Sequence, residues 1–362
     1  MYPQLIIHKE KIQGNLEAMV KIVKEEGKLK TLSIVTKGVC ADPEIVDIII
    51  NHPGVDYLAD SRIMNIKTYV DKAHEKGKKT LLLRIPMQSE VEDVAKYVDV
   101  CQISEISTIR LLNEEAKKLE KVQDIVLMID MGDLREGLFF KEKEKIHETV
   151  SEILKLENIN LMGVAVNLTC YGAIIPKNDN LSDFVQVARE IESSHGITLD
   201  MISGGNSSSI YLIGKNELPE GINNLRLGEA FLLGNDTAYE TKLPGTTGDA
   251  FILRAEVVEL QEKPSLPIGE VGVDAFGQKP YYEDRGMMMR AIIAIGKQDT
   301  DIDSMTPVDD EIEIMGGSSD HIILDVTKCP ERYQVGSTVD FTLGYGGMLK
   351  TTTSPYIVRV YR

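Results

Sequence analysis

Eight short apolar runs punctuate the first two thirds of the chain: Leu32–Thr36, Val55–Ala59, Thr80–Ile85, Val98–Ile103, Ile125–Ile129, Leu161–Val166, Leu199–Ser203 and Leu225–Leu233. Amphipathic stretches such as PEIVDIIINH, SEVEDVAKYV and STIRLLNEEAKKLEK separate them. The runs are apolar on both faces, as strands of a parallel sheet covered by helices must be. Parallel neighbours need a long crossover, and a helix supplies it. Eight such units predict a closed (β/α)8 TIM barrel rather than an open sheet. A further amphipathic stretch, Glu10–Glu26, precedes the first run as an extra helix. Asp42-Pro43 is a helix start, with the carboxylate as N-cap and proline in the first turn.

The rhythm stops in TKLPGTTGDA at 241–250, where Pro244, Gly245 and Gly248 mark a linker. Beyond it come strand-like runs joined by turns: FILRAEVVEL, MMMRAIIAIG, EIEIMGG, HIILDVT, TVDFTLG and YIVRVY. The expected division is an α/β TIM barrel over 9–243 and a C-terminal mostly-β domain over 244–362. A strand within 1–8 precedes the barrel and is free to join the β domain.

Composition narrows the partners. Forty Lys plus Arg against 57 Asp plus Glu give a net charge of -17. That balance argues against nucleic acid and against an anionic membrane surface, which both need a basic face. It leaves room for a small anion in one local pocket, and it is compatible with a cationic substrate. No apolar run is long enough to span a bilayer, and the opening MYPQLIIHKEKIQGNL is too polar for a secretory signal. Cys40, Cys101, Cys170 and Cys329 are widely spaced with no CxxC, which reads as reduced cytoplasmic thiols. The six histidines show no ligand spacing, so no metal is expected.

A barrel of this kind places its site at the C-terminal ends of its strands. The first run ends in Lys37, the fifth in IDMGDLREG with Arg135, the sixth in Asn167 and the seventh in SGGNSSS. The eighth carries Arg226 and Gly228-Glu229. A lysine directly after LSIV starts inside the barrel mouth, where burial lowers its pKa and suits it to imine chemistry; the plainer reading is a strand-end lysine reaching water. SGGNSSS at 203–209 could cradle a phosphate with backbone N–H groups and hydroxyls, or be an ordinary turn. Arg135 and Arg226 read as buried inside the barrel and must meet an anion or an acceptor, either a ligand or a structural partner such as Asp130 or Glu229. Together, an amine, a phosphate-type loop and two guanidinium groups on one face are what pyridoxal 5'-phosphate requires.

On these motifs the chain resembles the alanine racemase-like, fold type III pyridoxal-phosphate enzymes, most closely their ornithine racemase branch, over essentially its whole length. The resemblance implies that Lys37 in VTKGVCADPE carries the cofactor. It implies that Arg135 meets the cofactor phenolate and the substrate carboxylate. Asn206 and Ser207 in GGNSSS would hold the phosphate, with the Gly228 and Glu229 backbone and Tyr345 in LGYGGML. Arg226 in LRLGEAFLLG would stand at the pyridine nitrogen. That partner keeps the nitrogen unprotonated, because arginine gives up a proton only above pH 12, and the weaker electron sink favours racemisation over transamination. GGSSDHIILDV would enter a second subunit's site through Ser319 and Asp320, so a homodimer is expected.

The departures from the family pattern are as informative. Phe276-Gly277 occupies the place of the Tyr-Gly pair that supplies the second base, and phenylalanine accepts no proton. The role passes to Asp274, Tyr281 or Tyr282, with Asp274 also suited to a side-chain ammonium. Asn167 replaces a histidine near the ring, Ala41 a tyrosine at the phosphate, and Ser319 a methionine that narrows the site. The expected activity is a two-base racemase of a cationic amino acid, ornithine first, with lysine, alanine or broad specificity as alternatives. A decarboxylase of the same fold, or a non-catalytic pyridoxal-phosphate carrier, are the competing readings. Cys329 in TKCPERY lacks the setting a decarboxylase needs, and a carrier needs no β domain.

Overall fold

A computed structural model describes residues 1–274 and 276–362. Ten strands precede the linker: β1 Gln4–Ile7, β2 Thr31–Val35, β3 Tyr57–Asp60, β4 Lys79–Leu82, β5 Val100–Ile103, β6 Gln123–Asp130, β7 Leu138–Phe139, β8 Ile159–Ala165, β9 Met201–Ser203 and β10 Asn224–Leu227. The order β5-β4-β3-β2-β10-β9-β8-β6 is parallel throughout, and β5 pairs with β6 to close it into a barrel. The two-residue β7 pairs only with β6.

Helices fill the crossovers. Pro43–Asn51 starts as its sequence requires: the Asp42 carboxylate accepts from the Glu44 and Ile45 N–H groups at 3.1 and 3.3 Å. Its buried stripe is Ile45, Val46, Ile49 and Ile50. Inside, Val35, Tyr57, Ala59, Leu81, Val100, Val126, Met128, Ala165 and Met201 form one buried cluster. Their strand neighbours Ile34, Leu58, Val164 and Ile202 are buried too, because alternate side chains face the helices. Burial on both faces explains why the runs read as unbroken apolar segments.

The eighth run behaves differently from the expectation. Leu225–Leu233 is not one strand: β10 ends at Leu227 and Glu229–Leu233 is a short helix. Phe231, Leu232 and Leu233 are all buried, and a short apolar run does not distinguish a buried helical turn from a strand.

The chain divides into two compact units, 12–247 and 1–11 with 248–362. In the second, β1 lies antiparallel to β11 (Phe251–Pro264) and parallel to β17 (Val358–Tyr361). The remaining strands are β12 Met287–Ile293, β13 Met305–Pro307, β14 Glu313–Gly317, β15 Ile322–Asp325 and β16 Thr338–Leu343. Their order is β13-β16-β11-β12-β15-β14, antiparallel at every step. No helix among the described residues is long and apolar enough to cross a membrane. All four cysteines are free thiols.

Candidate active site

Strand β2 hands the chain to a tight turn. Thr36 is fully buried, Lys37–Val39 form one 3-10 turn, and Cys40 and Ala41 follow with φ of 52° and 50°. Two consecutive non-glycine residues in the left-handed region store strain, which proteins concentrate at working sites. No described residue accepts a hydrogen bond from Lys37 Nζ. Burial lowers the amine's pKa and Arg135 adds to the drop, while Cys170, Asp60 and Glu136 oppose it. A larger fraction of the amine is therefore neutral and nucleophilic than at a solvated lysine. Behind it, Thr36 Oγ1 donates to Asp60 Oδ2 at 2.6 Å. Asp60 also accepts from the Arg62 N–H at 2.8 Å and from Asn65 Nδ2 at 3.1 Å. Burial nevertheless raises the Asp60 pKa against those bonds.

Arg226 projects from β10 into the barrel and is only 2% exposed. Its Nη1 donates to Ser203 Oγ, and its Nη2 to Val166 O at 2.8 Å and Asn167 Oδ1 at 2.6 Å. Its Nε reaches the Gln102 side-chain oxygen at 3.1 Å when that amide turns its nitrogen to Leu83 O. A guanidinium has five N–H groups, so one on Nη1 is left over. Burial pulls this guanidinium down to about 10. Arg135 differs from the expectation of a buried group. Its side chain is 42% exposed and pairs with Glu136, not with Asp130. Asp130 is used on the backbone instead, accepting from the Gly132 and Leu134 N–H groups at 2.8 and 3.1 Å. Glu229 makes no ion pair with Arg226 either.

The 203–209 loop sets its polar groups against the residues that follow β10. Gly205 has φ of 118°, and a Cβ there would meet Ser209 Oγ at 2.6 Å. Asn206 Oδ1 caps the Ser208 N–H at 2.8 Å, and its Nδ2 reaches Leu168 O at 3.0 Å and Cys170 Sγ at 3.3 Å. Ser207 Oγ accepts from the Gly228 and Ala230 N–H groups at 3.3 and 3.1 Å, so its own hydroxyl proton is free to donate. The Glu229 N–H has no acceptor among the described residues. Burial, with the nearby Glu240 charge, pushes the Glu229 carboxyl up to about 7, against the pull of Lys37. Lys37, Arg135, Asn167, Asn206, Ser207, Arg226, Gly228 and Glu229 thus share the strand C-terminal end of one barrel.

The second unit gathers the other candidates at one edge. Asp274 Oδ1 accepts from the Phe276 and Gln278 N–H groups at 2.9 and 2.8 Å. These bonds hold its carboxyl below the usual range. Lys297 Nζ lies over the Phe276 ring at 4.4 Å, and the Lys297 N–H donates to Ser318 O at 2.9 Å. Beside it Ser319 Oγ donates to Asp320 Oδ2 at 2.6 Å. Tyr345 opens the helix Tyr345–Thr353, whose Lys350 Nζ donates to Lys297 O at 2.5 Å. Tyr281 and Tyr282, shortly after Asp274 in the chain, are both exposed.

Sequence reasoning passed over Asp60, Gln102, Glu136 and Cys170. Asp60 and Gln102 carried the signal used elsewhere, a polar residue in or ending an apolar run. Glu136 and Cys170 carried none, since Asn167 and Asn206, which they respectively meet, lie on other loops.

Comparison with known proteins places these features. The alanine racemase N-terminal domain model matches residues 7–236. Ornithine racemase of Acetoanaerobium sticklandii is 53% identical over 357 residues, 99% of each chain. Lysine racemase of Thermotoga maritima is 36% identical over 361 residues, 100% of this chain and 99% of its own. Among solved structures, alanine racemase from Bartonella henselae with covalently bound pyridoxal phosphate superposes with a TM-score of 0.71 at 18% identity, covering both chains completely. D-threonine aldolase from Filomicrobium marinum gives 0.74 at 15% identity, over 100% of this chain and 91% of that one. At these identities the structures share the fold alone.

Proposed function

The chain belongs to the alanine racemase N-terminal domain family, and from that premise we propose that it is a pyridoxal-phosphate-dependent racemase that interconverts L- and D-ornithine. The observation that carries the substrate is the 53% identity to an ornithine racemase along the full chain. The donor set fits the cofactor. Lys37 supplies an unpaired amine, Arg226 a spare N–H for a ring nitrogen, and Ser207 and the Glu229 N–H donors for a phosphate.

When bound, pyridoxal phosphate supplies the aldehyde that joins the amino group and the conjugated ring that acidifies Cα. The protein's own residues then move the proton. Lys37 Nζ, whose pKa burial lowers, takes the Cα proton on one face or returns it. Arg226, with its high pKa, donates without surrendering its proton. Arg135, half exposed at the mouth, is placed to receive a substrate carboxylate.

The other half of the site comes from the β unit of a second subunit in a homodimer. Asp274, held charged by two backbone N–H groups, suits a side-chain ammonium better than it suits proton abstraction. Asp320 and the small Ser319 give a long cationic side chain both charge and space. The second base is a hydroxyl of Tyr281 or Tyr282. Four free thiols suit a reducing cytoplasm.

The test is chiral chromatography of L-ornithine incubated with the holoenzyme. Conversion toward equal enantiomers with no carbon dioxide supports the proposal, and lysine and alanine run in parallel rank the substrates. Carbon dioxide release makes the protein a decarboxylase; bound cofactor without conversion of any amino acid makes it a carrier.

A further inference from the structure

Among the described residues, Glu136 is the one carboxylate that touches both the Arg135 side chain and the network around Arg226. It follows Arg135 in the loop after β6. Gly137 comes next, with φ of 118° and its Cβ position only 2.7 Å from the Asp130 N, so the chain turns back sharply there. The turn leaves the Glu136 side chain 17% exposed while its partner Arg135 is 42% exposed. Glu136 Oε2 accepts from Arg135 Nε. Oε1 accepts from Arg135 Nη2 at 2.6 Å and from Asn167 Nδ2 at 2.5 Å. Asn167 then offers Oδ1 to Arg226 Nη2 at 2.6 Å.

An ionised carboxylate only accepts and a guanidinium only donates, whereas an amide does both. The amide between them has one satisfactory orientation, nitrogen toward Glu136 and oxygen toward Arg226. We propose that Glu136 is a positioning residue: it clamps Arg135 directly, orients Asn167, and through Asn167 fixes Arg226, so that one carboxylate sets the pose of both arginines. An exposed ion pair between sequence neighbours contributes little. Here the second bond reaches a buried cation that touches no carboxylate of its own. Its remaining partners are Ser203, the Val166 carbonyl and Gln102, all neutral. The Glu136 charge is accordingly the largest influence opposing the burial of Arg226.

The link from arginine pose to cofactor rests on the proposed function; the relay itself does not. The experiment therefore has two arms, on Glu136→Gln, Asn167→Ala and the double variant. In the first, urea unfolding of the apo-protein measures coupling between the two positions, expected to be at least about threefold in the unfolding constant. In the second, absorbance titration with pyridoxal phosphate should show about tenfold weaker uptake in Glu136→Gln, and no further loss in the double variant. Glu136→Asp, which keeps the charge on a shorter arm, should fall between Glu136→Gln and the parent. Independent effects of the two substitutions on unfolding would overturn the relay. Unchanged cofactor affinity in Glu136→Gln would overturn its role toward the cofactor. A parent protein that takes up no pyridoxal phosphate would refute the functional reading, and the unfolding arm would still decide the relay.

Discussion

Asp60 in the barrel and Asp274 in the β unit both accept several hydrogen bonds, yet their pKa values shift in opposite directions. Each carboxylate accepts backbone N–H groups. Asp60 is fully buried, and desolvation outweighs its bonds, so its pKa rises. Asp274 stands near water, its bonds dominate, and its pKa falls. Where a carboxylate is desolvated, burial can outweigh the hydrogen bonds it accepts. The difference extends to the regions around them. The barrel mouth is a largely buried network that tunes proton affinity, with the lysine's pKa lowered by burial and Arg226 held from several strand ends. The edge of the β unit is a wet cluster of fixed charges, suited to choosing what binds.

Substitutions separate the two regions. Lys37→Ala should have the largest effect, lowering ornithine racemisation by about a thousandfold or more and abolishing the absorbance of bound cofactor. Equal activity in that variant would remove the barrel mouth from the chemistry. Asp274→Asn should act on selection instead, raising KM for ornithine about tenfold and leaving KM for alanine within experimental error. An equal loss for both substrates would erase the distinction between the regions.

The pH dependence of stability sharpens the barrel side. Glu229 rises from 4.5 to about 7 on folding, chiefly through burial. Between those values the folded protein binds more protons than the unfolded chain, so stability falls as pH rises through that window. Glu229→Gln should flatten this decline, measured as the urea midpoint of the apo-protein at successive pH values. The smallest effect belongs to the surface. A net charge of -17 should gather a cationic substrate, so raising salt should weaken apparent ornithine affinity about two- to threefold and leave alanine unchanged. Identical salt curves would confine selection to the site.

What the sequence made legible followed one physical rule. A polar residue closing an apolar run in a barrel stands at the mouth, and that located Lys37, Asn167, Arg226 and the 203–209 loop. The rule also covers Asp60, the polar residue that closes β3. It said nothing of Glu136, whose importance lies in reaching Asn167 across two loops, a contact that spacing along the chain does not encode. It misjudged Arg135, which lies outward because Glu136 takes the inner position. It also misread the end of the eighth run, where burial masks the difference between strand and helix. Nor could composition reveal the strained turn at Cys40-Ala41, since neither residue signals a left-handed backbone.

The central claim is that the barrel mouth holds one of the two bases at Cα, so that the Cα proton is exchanged from both enantiomers. The most direct measurement is exchange of the Cα hydrogen of L- and of D-ornithine for deuterium in D2O, with holoenzyme and with Lys37→Ala. The account expects exchange from both enantiomers in the parent protein and from neither in the variant. Exchange from one enantiomer only, or exchange that survives loss of Lys37, would contradict it.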